Sequence, residues 1–175
     1  MNKAIDKILR EQESLNKDGL YSTIDRETGF IISTLIKKRN PKNVLEVGTS
    51  IGYSGIWIAS ALKKGAKLTT IDGWKERAAI AKKNFKKSKL PIELIEGRAL
   101  EIIPKLKTKF DAVFLDATKA EYLKYLRAAK LNKNALVIAD NTISHAHKMK
   151  DFLDYAEKQC AFTIKTKSGL TFFVL

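Results

Sequence analysis

Apolar residues recur in short, nearly unbroken runs: NVLEVG (43–48), KLTTID (67–72), IELIEG (92–97), DAVFLD (111–116) and ALVIAD (135–140). Runs of this length, rich in Val, Ile and Leu, predict parallel strands buried on both faces. Between them the apolar positions take helical spacing, over roughly 53–64, 75–88, 99–107 and 119–130. Two further helical patterns, near 2–17 and 25–38, precede the first strand, and one near 145–159 follows the fifth. The tail AFTIKTKSGLTFFVL carries two β-rich runs around Ser168-Gly169, a hairpin signal. Strand–helix alternation of this kind implies right-handed crossovers and a doubly wound α/β sheet. No linker, repeat or low-complexity stretch interrupts it, so residues 1–175 read as one domain.

In such sheets ligands bind beyond the carboxyl ends of the strands, near the point where strand order reverses. Here those ends are Glu46/Gly48, Asp72, Glu96/Gly97, Asp116 and Asp140/Asn141. Nearly every strand delivers an acid or a glycine to one edge, which marks that edge as the candidate site.

Composition sharpens this reading. Lys and Arg number 33 against 19 acids, for a net charge of +14. A surface of that sign attracts polyanions such as RNA or an acidic cosubstrate. The excess peaks in KERAAIAKKNFKKSK (75–89), with seven Lys/Arg and one acid. This segment is either the solvated face of an amphipathic helix or a nucleic-acid footprint. The single cysteine, Cys160, offers neither a disulfide framework nor a metal-ligand pattern. No apolar run is long enough to span a membrane, and the charged N-terminus lacks a signal-peptide core. A cytoplasmic location is expected.

The loop EVGTSIGYSG (46–55) joins the first strand to the next helix. Gly48 and Gly52 permit a tight turn and close ligand approach, and the helix amides, with Ser54, can receive an anionic group. The loop has neither G-x-G-x-x-G spacing nor a P-loop lysine, and Ile56 stands where a nucleophile elbow needs glycine. Asp72 follows Gly52 by twenty residues, where a carboxylate can accept both hydroxyls of a ribose; capping the next helix is its alternative role. At the other strand ends, Asp116, Asp140 and Asn141 supply oxygen ligands without His or Cys. That set suits a hard cation, Mg²⁺ best, with Ca²⁺ or Mn²⁺ as alternatives. A neighbouring amine, Lys119, would then act as general base. Helix capping and turn formation are the plainer roles open to the two aspartates, and a solvated first-turn position to the lysine.

Taken together, VLEVGTSIGYSG, TTID, EGRALEIIPKL, FDAVFLDATKAEY, VIADN and SGLTFFVL, in this order and spacing, resemble the cation-dependent class I O-methyltransferases of the catechol and caffeoyl-CoA type. The resemblance runs from about Ser22 to the C-terminus. It implies a Rossmann-like seven-stranded sheet, mostly parallel with an antiparallel last strand, and residues 1–40 as helices forming a lid over a core of 41–175. It implies S-adenosyl-L-methionine as cofactor, bound by Ile24, Glu46, Gly48, Ser54, Asp72 and Ala99 and bordered by Asp116. Asp116, Asp140 and Asn141 match the metal ligands and Lys119 the catalytic lysine. The implied acceptor is a small molecule with a hydroxyl beside a chelating oxygen. Relatives often dimerise, which makes a homodimer a partner to test.

Three departures from the family pattern stand out. Arg98 replaces an acid common in a Gly-Asp-Ala motif, and Thr118 an acid or aromatic residue. The chain after Asn141 runs directly into TISHAHKMK, without a segment that helps wall the acceptor pocket. Trp74 is a candidate stacking face for adenine, and His145 and His147 lie near the mouth. A more open pocket and the basic 75–89 segment keep a hydroxylated uridine of tRNA open as acceptor. A third reading is an inactive nucleoside- or RNA-binding module on the same fold.

Overall fold

The computed structural model describes residues 2–175. The five apolar runs form β1 (Asn43–Val47), β2 (Lys67–Asp72), β3 (Ile92–Glu96), β4 (Phe110–Leu115) and β5 (Leu131–Ala139), all parallel. The tail supplies β6 (Phe162–Ile164) and β7 (Leu170–Val174), and the sheet order is β3-β2-β1-β4-β5-β7-β6. Strand β7 enters between β5 and β6 and runs antiparallel to both. The result is a seven-stranded, Rossmann-like α/β sheet.

Period-2 alternation sends successive side chains to opposite faces. Val44, Leu68, Ala112, Phe114, Leu136 and Ile138 pack toward α1 (Lys3–Leu15), α2 (Arg26–Arg39), α3 (Tyr53–Ser60) and α4 (Lys75–Ser88). Leu45, Val47, Val113, Leu115, Val137 and Ala139 face α5 (Ala99–Ile102), α6 (Tyr122–Ala128) and α7 (Lys150–Lys158). Helix α3 is apolar on every side because α1 and α2 cover the face it turns from the sheet.

Several boundaries differ from the sequence pattern. Strand β3 is half exposed rather than buried on both faces, because it forms the sheet edge. The 53–64 pattern yields a helix only to Ser60, since the chain leaves it for the turn at Gly65. The 99–107 segment makes one α-turn and then a 3₁₀ turn carrying Pro104, whose ring cannot continue a helix. The 119–130 and 145–159 segments likewise open in 3₁₀ turns, at Lys119–Glu121 and Ala146–Lys148. The basic 75–89 run is a helix that buries only Ala78, Ala81 and Phe85. Among the described residues no helix is long and apolar enough to cross a membrane.

Candidate active site

Strand order reverses between β1 and β4, and the two strand tips meet there. The ladder continues one step beyond the strands: Asp116 N–H donates to the Val47 carbonyl (2.9 Å) and Asp140 N–H to that of Leu115 (3.0 Å). Gly48 sits at φ +103°, and a Cβ there would lie 2.2 Å from the Asp116 carbonyl oxygen. Only glycine permits that turn with the backbones so close. This meeting of loops places the first turn and the Asp116 loop around one cavity.

The cavity has a volume of about 390 Å³. Gly48, Thr49, Ser50 and Ser54 form one side of its lining, Asp72, Gly73, Trp74 and Arg77 another, with Gly97–Leu100 and Asp116–Lys119 beyond. Ser22 and Thr23, from the connection between α1 and α2, also reach it. Five residues expected at a cofactor therefore line it, Gly48, Ser54, Asp72, Ala99 and Asp116, with Lys119 beside them. Asp72 accepts hydrogen bonds from the Ser50 N–H (2.6 Å) and the Trp74 N–H (2.8 Å). Each carboxylate oxygen has a second lone pair, so this fixes its orientation while leaving it able to accept hydroxyls.

Two expected cofactor residues do not line the cavity. Ile24 is buried in the apolar cluster beneath α1 and α2, and its neighbours Ser22 and Thr23 hold the lining positions. Glu46 is fully buried behind the first turn, where Ser54 and Thr70 each donate to it at 2.6 Å. Thr49 extends the chain through a hydrogen bond with Thr70. Burial pushes the Glu46 carboxyl up to about 7, against the two hydroxyl donors that hold it down. The Thr49–Thr70–Glu46–Ser54 chain escaped the sequence reading. Its signal was parity: residues 44, 46, 68 and 70 fall on one face of adjacent strands in register.

The same parity governs the other acids. With Leu115 opposite Ala139, Asp116 and Asp140 are neighbours one residue past the last pair, and adjacent strands run about 5 Å apart. Lys119, one turn further on, donates to Asp116 Oδ1 at 2.9 Å. Among the described residues this is the only hydrogen bond to the Asp116 carboxylate. Burial raises Asp116 to about 7; the Lys119 charge opposes the rise and the Asp140 charge adds to it. Asp140, also buried, is raised by desolvation and held down by Ser168, whose hydroxyl donates to Oδ1 at 2.6 Å. Asn141 adopts a left-handed backbone, φ +64°, a conformation Asn tolerates, and its side chain makes no hydrogen bond among the described residues.

This chemistry fits a divalent cation. Two desolvated carboxylates feel the charge of one ammonium, and burial raises both, with the Asp140 charge adding to the rise at Asp116, so the pair lacks positive charge. Hard oxygen donors at adjacent tips are the set that Mg²⁺ takes. Among the described residues no group of three or more His, Cys, Asp and Glu is placed to hold a metal ion. Asp140 and Asn141 are not among the residues that line the cavity.

At the rim Arg77 stacks over the exposed Trp74 ring at 5.0 Å, and Arg98 reaches toward Glu101 at 3.7 Å in solvent. His145 and His147 stack at 6.5 Å in the loop after Asn141. Ser168 is a site residue that the sequence reading treated only as part of a turn. The backbone around it accepts from the Ile143 and Ser144 N–H groups, both at 3.0 Å, and so clamps the loop after Asn141.

Comparison with known proteins agrees with this architecture. The sequence profile described as O-methyltransferase matches residues 2–167. The chain is 34% identical over 147 residues to catechol O-methyltransferase of Niastella koreensis, a match covering 79% of this chain and 66% of that protein. It is 32% identical over 176 residues to catechol O-methyltransferase B of Danio rerio, covering 91% and 63%. The chain thus spans slightly less than two thirds of the length of these curated relatives. The O-methyltransferase TomG of Streptomyces achromogenes, crystallised in complex with SAM, superposes with a TM-score of 0.83 at 25% identity, covering 100% of this chain and 90% of that one. An O-methyltransferase of Bacillus cereus in complex with SAH gives 0.82 at 23% identity, covering 100% and 91%, and bears on the fold alone. With its profile match spanning nearly the whole sequence, the chain belongs to the O-methyltransferase family.

Proposed function

We propose that this chain transfers the methyl group of S-adenosylmethionine to a hydroxyl whose neighbouring oxygen can share a divalent cation. The observation that carries the reading is the convergence of Asp116, Asp140 and Lys119 on adjacent strand tips beside a cavity floored by the Gly48 turn. Asp72 would accept the ribose hydroxyls, Ser54 and the α3 amides would receive the carboxylate, and Ala99 would border the adenine. Glu46, behind Ser54, holds that hydroxyl in place. Ser22 and Thr23 would cover the cavity from the N-terminal side, the part of 1–40 that serves as its lid.

Asp116, Asp140 and Asn141 would hold the cation, whose charge favours the ionised form of an acceptor hydroxyl and fixes its position. Lys119, in its neutral amine form, would take the hydroxyl proton, and its contact with Asp116 holds Nζ beside the proposed cation site. The sulfonium is already an activated methyl donor, so these residues contribute mainly by positioning. The test is methyl transfer to a catechol-like acceptor with and without EDTA, alongside calorimetric binding of S-adenosylhomocysteine. Transfer should vanish on chelation and in Asp140→Ala while cofactor binding persists. Full activity in EDTA would sink the cation's role, and absence of binding would sink the cofactor reading.

One observation favours a second acceptor, a hydroxylated uridine in tRNA: the Trp74–Arg77 stack stands at the cavity rim next to the basic face of α4. Affinity for tRNA would then fall steeply with salt. A small-molecule enzyme would show only weak, sequence-independent binding.

A further inference from the structure

Three acids line the cavity: Asp72, Asp116 and Glu121. The first is oriented by two backbone amides and the second is paired with Lys119. Glu121 ends the 3₁₀ turn before α6, and one of its oxygens, Oε2, accepts a hydrogen bond from the Tyr125 hydroxyl one helical turn away. Oε1 accepts none from any described residue. Burial, and then Glu121 itself, push the Tyr125 phenol up to about 12, so it is a donor throughout the neutral range. The bond engages Oε2 and leaves Oε1 of this cavity-lining carboxylate free to accept.

The surroundings of that oxygen suit a flat heterocycle. Ala99, Leu100 and Ala117 pack in the same apolar cluster and also line the cavity. Helix α5, which carries Ala99 and Leu100, packs against α6, and Glu121 and Tyr125 line the same cavity. A purine leaving a ribose held by Asp72 would lie between these apolar surfaces, its edge toward α6. Arg98, at the other rim, is turned to solvent and Glu101, and offers no acceptor. Resting on the cofactor reading above, we infer that Glu121, held by Tyr125, accepts the exocyclic 6-amino group of the adenine and so selects adenine over a 6-oxo purine.

A carboxylate accepts from an amine but repels a carbonyl oxygen at the same position, and a charge-assisted hydrogen bond is among the stronger kinds. The full-length protein should therefore bind S-adenosylhomocysteine roughly tenfold or more tightly than its inosine analogue. The experiment is calorimetric titration of both ligands into wild type, Glu121→Gln, Glu121→Asp and Tyr125→Phe, with circular dichroism confirming the fold of each. Glu121→Gln should lose the preference, because its amide can donate to the 6-oxo group. Glu121→Asp, with shorter reach, should lose most of it. Tyr125→Phe should weaken adenine binding yet keep the preference, since the acceptor remains.

Equal binding of both ligands by wild type would overturn the inference. So would, in a folded Glu121 variant, an unchanged preference or a loss of affinity that strikes both ligands alike, which marks a merely structural role. Wild type that binds neither ligand would overturn the cofactor reading and this inference with it. Binding of the first ligand without discrimination would overturn the inference alone.

Discussion

Helix α4 and the carboxyl edge of the sheet hold opposite charges under opposite conditions. The basic residues of 75–89 stand in water, and among the described residues only Lys82 and Lys87 meet a carboxylate, Glu96 and Glu11. Such exposed pairs contribute little to stability. At the strand tips, Asp116, Asp140 and Glu46 are desolvated, and all three are pushed toward protonation. A net charge of +14 does nothing to relieve them, because water and salt screen surface charge within about 8 Å. Burial, not formal charge, decides where this protein's electrostatics act.

The comparison can be broken most decisively at Lys119, the ammonium that donates to the buried Asp116. Lys119→Met should lower kcat by roughly 10²–10⁴ while S-adenosylhomocysteine binding changes by less than about threefold. Unaltered kcat would return Lys119 to the status of a surface residue. Gly48→Ala comes next, because it drives a methyl group into the Asp116 carbonyl at positive φ. A loss of about 3 kcal/mol or more is expected in urea denaturation, and an unmoved midpoint would contradict the close approach of the two tips.

Glu46 sharpens the contrast through pH. Its folded value of about 7 lies above the ordinary 4.5, so the folded state retains a proton that the unfolded chain releases. Its contribution is fully present below pH 4.5 and is lost as pH rises to 7. Thermal unfolding should reveal falling stability across that window, by about 3 kcal/mol at most from this group. Glu46→Gln should reduce the slope, and parallel profiles would refute the assignment. The smallest effect belongs to α4: Lys83→Gln and Lys86→Gln should move stability by less than about 0.5 kcal/mol. If those changes also leave tRNA binding intact, the tRNA reading loses its support.

Much of the fold was legible because buried parallel strands leave dense Val/Ile/Leu runs. The carboxyl edge was legible for a related reason: acids that end such runs have nowhere else to go. The hairpin at Ser168-Gly169 predicted that β6 pairs with β7. Local sequence says nothing about β7 entering beside β5, which depends on contacts between residues far apart in the chain. Strand β3 read as buried because its composition matches the central strands, and only its place at the edge exposes it. The roles of Glu46 and Glu121 rest on rotamers fixed by Ser54, Thr70 and Tyr125. Spacing can bring such residues near each other, but it does not say which oxygen is left free.

Ser168 lies in the turn that leads into β7, yet its hydroxyl grips the carboxylate at the end of β5. Ser168 thus ties the C-terminal hairpin to the tip of β5, so the carboxylate that stands beside Asp116 takes its orientation from the last strand pair of the chain.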